Sequence, residues 1–240
     1  MIKERPVEYR HDGTLLEGML AFDDSAKSPR PGVIISHAWA GRSPFECQKA
    51  RALAGLGYVG FALDLYGKGV LGKGPDENMK LMHPFTQERP KLQDWLKAAL
   101  SAFQAQPEVD RSRIVAMGFC FGGLCVLDMA RSGADVRGVV SMHGLFTPPG
   151  NTKGTKIKAK VLALHGNDDP MVPVAQVEEF EKELTEAGAD WQIHVYGNTM
   201  HAFTNPEAKD PGRGTVYNAD ADRRSWKALL NFLEEVLMAG

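Results

Sequence analysis

The stretch RIVAMGFCFGGLCVLDMA (residues 113–130) joins an apolar run to a helix-like pattern through a corner rich in glycine. The run at residues 114–117 has the length and composition of a buried strand. Cys120 then follows, framed by glycines at positions 118, 122 and 123. A strand, a sharp glycine-flanked turn and a helix form the elbow that lifts a nucleophile above a sheet, here with Cys in place of Ser. The stretch therefore leaves two alternatives for Cys120, a nucleophile or a small buried filler.

Similar strand and helix patterns repeat on both sides of this corner. Further buried strands are predicted at PGVIIS (31–36), YVGFAL (58–63), 136–142, 161–164 and 193–196. Helices are predicted at 44–56, 89–105, from the corner to about Arg131, at 174–186 and at 223–238. Buried strands that alternate with helices predict an α/β fold, with a mostly parallel sheet covered by helices on both faces. We expect residues 1–240 to form one such domain.

Two segments depart from this alternation. Residues 7–10 and 15–21 are separated by the turn signal His11-Asp12-Gly13, and they predict an antiparallel hairpin at the N-terminal edge of the sheet. Residues 64–85 contain glycines at positions 67, 69, 72 and 74 without a regular pattern. This second segment predicts a mobile loop close to a functional site.

The composition excludes several classes of protein. The 240 residues are 43% hydrophobic and 24% charged, as in ordinary globular proteins, and the formal net charge of −2 implies no general attraction to nucleic acid or to a membrane surface. No apolar run has the length of a membrane span, and the charged N-terminus lacks the apolar core of a secretory signal. Three cysteines fit free thiols in a reducing compartment. We predict a cytoplasmic protein, without a metal or cofactor, that is a monomer or a small homo-oligomer.

An acid and a base follow Cys120 in the chain. In parallel sheets the sites lie beyond the carboxyl ends of the strands, where Asp169 and His201 are predicted to stand. The order nucleophile, Asp, His is that of α/β-hydrolases. His201 would take the thiol proton, and Asp169 would orient the imidazole. Asp168 competes with Asp169, but the pattern Gly-x-x-Asp counted from Gly166 favours Asp169.

Four motifs together resemble the dienelactone hydrolase family of the α/β-hydrolase superfamily. They are VIISHAWAG (33–41), ALDLYGKG (62–69), GFCFGG (118–123) and LHGNDDPMVP (164–173) with HAF (201–203), in the order of the family. The resemblance implies an oxyanion hole made by the backbone amides of Trp39 and Phe121. It also shows two differences: the Glu of the family's first loop is Ala38 here, and no Arg follows His201 in residues 202–206. The family and the reaction class are therefore inferred, and dienelactone itself is not.

Other polar residues near the strand ends are weaker candidates. His37, Tyr66 and Arg89 are possible substrate-binding residues, although His37 is also suited to shaping the oxyanion loop. Asp64 is expected to be structural and His165 to be satisfied in its turn, and His143 has no evident partner. Glu46 is an alternative source of the missing carboxylate, but its place early in a helix favours a solvated or capping role. Cys47 and Cys125 are expected to be buried fillers.

The main hypothesis is a cofactor-free hydrolase of carboxylic esters or lactones that acts through an acyl-thioester on Cys120. Its partner would be a small-molecule substrate, with no nucleic acid and no membrane. The nearest rival is a hydrolase of another acyl bond, such as a thioester or a small amide. A rival from a different class is a binding scaffold that keeps the fold and has lost turnover.

Overall fold

The computed structural model describes residues 1–238, which form an eight-stranded mixed sheet with helices on both faces. The last two residues of the predicted domain lie outside this described part. The strands of the main sheet are β1 (Ile2–His11), β2 (Thr14–Asp23), β3 (Arg30–Ser36), β4 (Val59–Ala62), β5 (Val109–Phe119), β6 (Gly138–Met142), β7 (Lys160–Gly166) and β8 (Trp191–Tyr196). The helices are α1 (Pro44–Gly55), α2 (Pro75–Gln87), α3 (Arg89–Gln104), α4 (Phe121–Arg131), α5 (Val174–Glu186) and α6 (Ala219–Met238). The predicted α/β-hydrolase fold is confirmed.

The strand order β1-β2-β4-β3-β5-β6-β7-β8 explains where a site can form. Strands β3 to β8 run parallel, whereas the N-terminal hairpin β1–β2 is antiparallel and forms one edge, as predicted. From β3 the chain crosses to β4 on one side and later to β5 on the other. The carboxyl ends of β3 and β5 therefore border the crevice at which connections leave in opposite directions, the usual ligand position in such sheets.

Side chains of the central strands alternate between two apolar layers. Ile34 of β3 packs into the layer that holds α2 to α5, whereas its neighbours Val33 and Ile35 pack into the layer of α1 and α6. All three side chains are fully buried. Burial on both faces requires continuous apolar runs, which is why PGVIIS was readable as a parallel strand. None of the helices within residues 1–238 is long and apolar enough to cross a membrane.

The segment predicted as an irregular loop contains a helix that sequence reasoning missed. Residues 75–87 form α2, which begins with Pro75 in the first turn and has Asp76 and Glu77 beside its positive end. Both features favour a helix start and were available in the sequence. The internal Pro84 lies close to the helix end, where it interrupts only the final turn. The expectation of a loop over the whole of 64–85 was therefore wrong for its second half.

Candidate active site

Cys120 occupies a strained corner between β5 and α4. It serves as the N-cap of α4 with φ 55° and ψ −115°, a conformation that L-residues rarely adopt. Its backbone N–H donates to the carbonyl oxygen of Met142 at 3.0 Å, and its own carbonyl accepts from the N–H of Gly123 at 2.9 Å. Such strain persists only where surrounding structure holds it, and it concentrates at functional sites.

The glycines around the corner are required by close packing. A Cβ on Gly118 would collide with the backbone of Gly122, and one on Gly122 would collide with the carbonyl of Ser36 at the end of β3. A Cβ on Gly123 would meet the backbone of Gly144. The pattern GFCFGG is therefore the one that lets β5, α4 and the loop after β3 approach each other at this point.

His201 and Asp169 form a buried pair at the same edge of the sheet. The Nδ1 atom of His201 lies 2.7 Å from Oδ2 of Asp169, and the other oxygen of Asp169 accepts the N–H of Met171 at 2.8 Å. Both residues are almost fully buried. Asp168 is exposed and contacts the side chain of Asn167 instead. The structure thus places Asp169, rather than Asp168, beside His201.

A small hairpin that the sequence did not predict holds the histidine loop. Strands β9 (Lys209–Asp210) and β10 (Thr215–Val216) pair on either side of a short 3-10 turn. The N–H of His201 donates to Gly214, and the carbonyl of His201 accepts from Val216. The backbone of His201 is therefore held at both its N–H and its carbonyl, although these strands are too short to leave a sequence pattern.

Cys120 changes the protonation of His201. Burial lowers the pKa of His201, but the negative charge of a Cys120 thiolate and the hydrogen bond to Asp169 raise it more strongly, to about 10. The Nε2 atom has no hydrogen bond of regular geometry within residues 1–238, yet it lies near enough to Cys120 to sense the charge of the sulfur. These influences favour the protonated imidazolium form of His201.

Two further buried histidines accompany His201. His143 packs edge-on against the ring of His201, with 5.1 Å between centroids, and its Nε2 lies 2.8 Å from Oγ1 of Thr204. Burial, and next the charge of His201, keep the pKa of His143 well below its ordinary value. Burial also lowers the pKa of His165, which packs against Phe146. The proton of the cluster is thus concentrated on His201. The partner of His143 is not evident in the sequence, because Thr204 is distant in the chain.

The two predicted oxyanion amides belong to different loops. Phe121 is the first residue of α4, and Trp39 lies in the loop between β3 and α1. Within residues 1–238 neither backbone N–H has a protein acceptor. A helix N-terminus adds a partial positive charge on the Phe121 side. Unpaired amides at this edge are suited to stabilising a negative oxygen.

His37 and Tyr66 contact the oxyanion loop itself. His37 is fully buried, with Nδ1 2.7 Å from the carbonyl of Ala38, and its Nε2 accepts the N–H of Leu65 at 3.2 Å. The hydroxyl of Tyr66 donates to the carbonyl of Trp39 at 3.1 Å. These contacts favour the alternative in which His37 shapes the loop. Tyr66 also holds the loop, through its hydrogen bond to the carbonyl of Trp39.

Arg89 is committed to a buried ion pair. Its Nε and Nη2 donate to the two oxygens of Asp128 at 2.7 and 2.5 Å, and Nη1 donates to the carbonyl of Thr147. The guanidinium side chain is only 7% exposed. Because its donors are occupied and shielded, the position does not favour the substrate-binding role expected from sequence.

Glu46 is a buried capping residue. It is 1% exposed and forms a capping box with Ser43 at the start of α1, so the expected capping is present but the expected solvation is not. Asp64 is also structural, because its oxygens accept backbone N–H groups of Glu17, Tyr66 and Gly67. Neither carboxylate is available to the thiol.

The remaining cysteines differ from Cys120 in their surroundings. Cys125 is fully buried, and burial raises the pKa of its thiol. Cys47 is 7% exposed, whereas Cys120 is more accessible. No group of three or more potential metal-ligating side chains occurs within residues 1–238.

Comparisons with known proteins identify the family of this chain. The sequence model of the dienelactone hydrolase family matches residues 16–237. The chain is 39% identical over 60% of its length to the uncharacterized protein K02A2.1 of Caenorhabditis elegans, and the match covers 94% of that protein. It is 35% identical to the solved structure named m3DLH, with a TM-score of 0.94 over 98% of this chain and 99% of the other.

A second solved structure is similar to the same extent. It is a dienelactone hydrolase-like promiscuous phosphotriesterase from metagenomic libraries, 34% identical, with a TM-score of 0.92 and 98% of each chain covered. The family model matches nearly the whole chain, and two solved structures of similar fold and sequence support the same assignment. The protein belongs to the dienelactone hydrolase family and is a hydrolase.

Proposed function

We propose that the protein hydrolyses carboxylic esters or lactones with Cys120 as nucleophile, His201 as general base and Asp169 as the residue that orients His201. The observation that carries this proposal is the strained backbone of Cys120 next to the buried His201–Asp169 pair. Strain and a buried ionisable pair both cost stability. A shared role in one reaction accounts for their presence at the same strand ends.

Acylation would proceed in two steps. The thiol proton of Cys120 passes to Nε2 of His201, a transfer that the raised pKa of His201 favours. The thiolate attacks the carbonyl carbon, and the C–S bond forms as the carbonyl electrons move to the oxygen. When these electrons return, the C–O bond breaks and the leaving oxygen takes the proton from His201. An ester releases its alcohol, whereas an opened lactone keeps its alcohol on the acyl group.

Deacylation would use the same groups in reverse. A water molecule gives a proton to His201 as its oxygen adds to the thioester carbonyl, and collapse breaks the C–S bond to release the acid. The amides of Trp39 and Phe121 would stabilise the oxyanion in both halves of the reaction. Their lack of acceptors within the described residues supports this role.

The substrate is proposed to carry an uncharged acyl group. Arg89, the one candidate for binding a substrate carboxylate, is held by Asp128 and Thr147. Trp39, Tyr66 and Leu145 are, like Cys120, partly buried and packed against the same apolar core cluster. Apolar walls with few polar groups favour neutral ligands, because burying an unpaired carboxylate is costly.

A substrate panel with two thiol variants tests the proposal. Wild type, Cys120→Ala and Cys47→Ala would be assayed on p-nitrophenyl acetate, a γ-lactone, an acetyl thioester and an aryl phosphotriester. We expect ester and lactone turnover in wild type and Cys47→Ala, and its loss in Cys120→Ala. Full activity of Cys120→Ala would refute the mechanism, and preference for the thioester would favour the acyl-bond rival. The phosphotriester is included because one structural relative carries that name.

A further inference from the structure

In the loop between β3 and α1, hydrogen bonds hold most of the backbone polar atoms around the peptide group that joins Ala38 to Trp39. The N–H of Ala38 donates to Oε1 of Glu46 at 3.2 Å. The other oxygen of Glu46 is fixed by Ser43, through its N–H at 2.9 Å and its hydroxyl at 2.7 Å. Glu46 is buried, so water does not compete for these contacts. The backbone N–H that precedes the Ala38–Trp39 peptide is therefore anchored to α1 through Glu46.

The carbonyl of Ala38 is anchored by His37. Because Nε2 of His37 accepts the N–H of Leu65, the ring hydrogen must lie on Nδ1, which donates to the Ala38 carbonyl at 2.7 Å. The N–H of Gly41 donates to the same carbonyl at 3.2 Å. Burial lowers the pKa of His37, which keeps the ring neutral and preserves this tautomer.

The side after the same peptide is anchored by Tyr66. Its hydroxyl donates to the carbonyl of Trp39 at 3.1 Å, and its ring packs on His37 and Phe121. Phe121 is the residue that would supply the second oxyanion amide. One aromatic side chain therefore contacts both halves of the predicted oxyanion hole.

These anchors leave the N–H of the clamped peptide itself free. The N–H of Trp39 has no acceptor within residues 1–238. A trans peptide holds its C=O and N–H on opposite sides, so fixing the Ala38 carbonyl also fixes the direction of the Trp39 N–H. Donation to the carbonyl further polarises the peptide and strengthens its N–H as a donor.

We propose that Glu46, His37 and Tyr66 are positioning residues that clamp the Ala38–Trp39 peptide so that the Trp39 N–H faces the reacting oxygen. This inference rests on the proposed function, since it requires an oxyanion. It also assigns the buried carboxylate of Glu46 to positioning of the oxyanion hole instead of to activation of the thiol. Pre-set donors stabilise an oxyanion well because they need no reorganisation during the reaction.

Two reactions of Cys120 separate oxyanion positioning from thiol activation. Acylation by p-nitrophenyl acetate passes through an oxyanion. Methyl methanethiosulfonate instead forms an S–S bond with the thiolate and releases methanesulfinate, without an oxyanion. Tyr66→Phe should slow acylation about tenfold, the effect of one lost hydrogen bond, and leave the thiosulfonate rate within twofold of wild type. Tyr217→Phe, which removes a tyrosine hydrogen bond to Asp222, is the matched control and should change neither rate.

A second pair of variants tests the histidine anchor. His37→Asn places an amide N–H near the position of Nδ1, whereas His37→Ala has no donor. Asn should retain more acylation activity than Ala, with similar thiosulfonate rates in both. Equal losses in the two reactions would overturn the clamp and assign these residues to the thiol, and unchanged acylation in Tyr66→Phe would overturn it as well. A wild type without any Cys120-dependent acylation would instead refute the proposed function, and the clamp with it.

Discussion

Two buried clusters of ionisable side chains lie in this protein, and they differ in how completely they are paired. In the ionic cluster, formed by Arg89, Asp128, Arg131 and Glu183, both guanidinium groups donate to carboxylates and to the carbonyls of residues 146 and 147. In the candidate catalytic cluster, formed by Cys120, His201 and Asp169, Nε2 of His201 has no hydrogen-bond partner of regular geometry within residues 1–238, and the backbone of Cys120 is strained.

The difference separates architecture from chemistry. The charged network joins α3, α4 and α5, and its guanidinium donors are occupied by carboxylates and backbone carbonyls. An unpaired buried nitrogen and a strained backbone cost stability, and such features concentrate at functional sites. Arg89 looked equally functional in the sequence, and only its pairing identifies it as structural.

The largest effect is expected from replacing Asp169 of the candidate catalytic cluster. Asp169→Asn keeps the shape of the side chain but removes the charge that orients and stabilises the imidazolium. Activity should fall on the order of 10⁴-fold, as in other triads. Steady-state kinetics on a cleaved ester measure this, and Asp168→Asn serves as the control because Asp168 is exposed. A stronger loss in the Asp168 variant would contradict the assignment.

The ionic cluster should show the opposite behaviour. Asp128→Asn leaves Arg89 buried without its full counter-charge, so the free energy of unfolding should fall by about 3–5 kcal/mol. Chemical denaturation measures the loss. The folded fraction should retain normal reactivity at Cys120. A stable variant with impaired catalysis would show that the two clusters are not separate in function.

The pKa of His201 offers a test that depends on pH. In Cys120→Ser the thiolate charge is absent, so the pKa of His201 should fall below its wild-type value of about 10. A raised folded-state pKa stabilises the protein fully below the unfolded-state pKa of about 6.5, and this contribution is lost as the pH rises through about 10. The unfolding free energy of wild type should therefore decline more between pH 7 and 10 than that of Cys120→Ser. NMR titration of His201 measures the pKa directly, and identical titration curves would refute the coupling.

The smallest effect concerns the strain at the corner. Cys120→Gly removes the Cβ at a φ of 55° and should raise the unfolding free energy by about 1 kcal/mol while activity is lost. Cys120→Ala keeps the strain and should show no such gain. Thermal denaturation of both variants measures the difference. Equal stabilities would mean that the corner stores no strain.

Local patterns in the sequence were sufficient for the fold and for the core of the candidate site. Continuous apolar strands, long helices and the glycine-framed Cys120 are short-range signals, and the order of the strand-end motifs adds Asp169 and His201. Helix α2 was missed because its glycine-rich lead and Pro84 resemble a loop, although Pro75 and the acidic residues after it indicate a helix start. In this segment two local signals, one for a loop and one for a helix, oppose each other.

Pairing between distant residues could not be predicted. Arg89 meets Asp128, and His143 meets Thr204 and His201, only after the sheet has formed. Glu46 reaches the N–H of Ala38 only because the oxyanion loop folds back onto the start of α1. Whether a polar residue is functional or structural depends on such partners, and one sequence carries no record of them.

The central claim is that Cys120 carries the acyl group. Wild type, Cys120→Ala and Cys47→Ala would be mixed with p-nitrophenyl acetate, quenched in acid within the first turnovers, and examined by intact mass and peptide mapping. We predict one added acetyl group on the peptide that contains Cys120 in wild type and Cys47→Ala, and none in Cys120→Ala. Acetyl groups on another residue, or hydrolysis by wild type without any acyl-enzyme while Cys120→Ala remains active, would contradict the account.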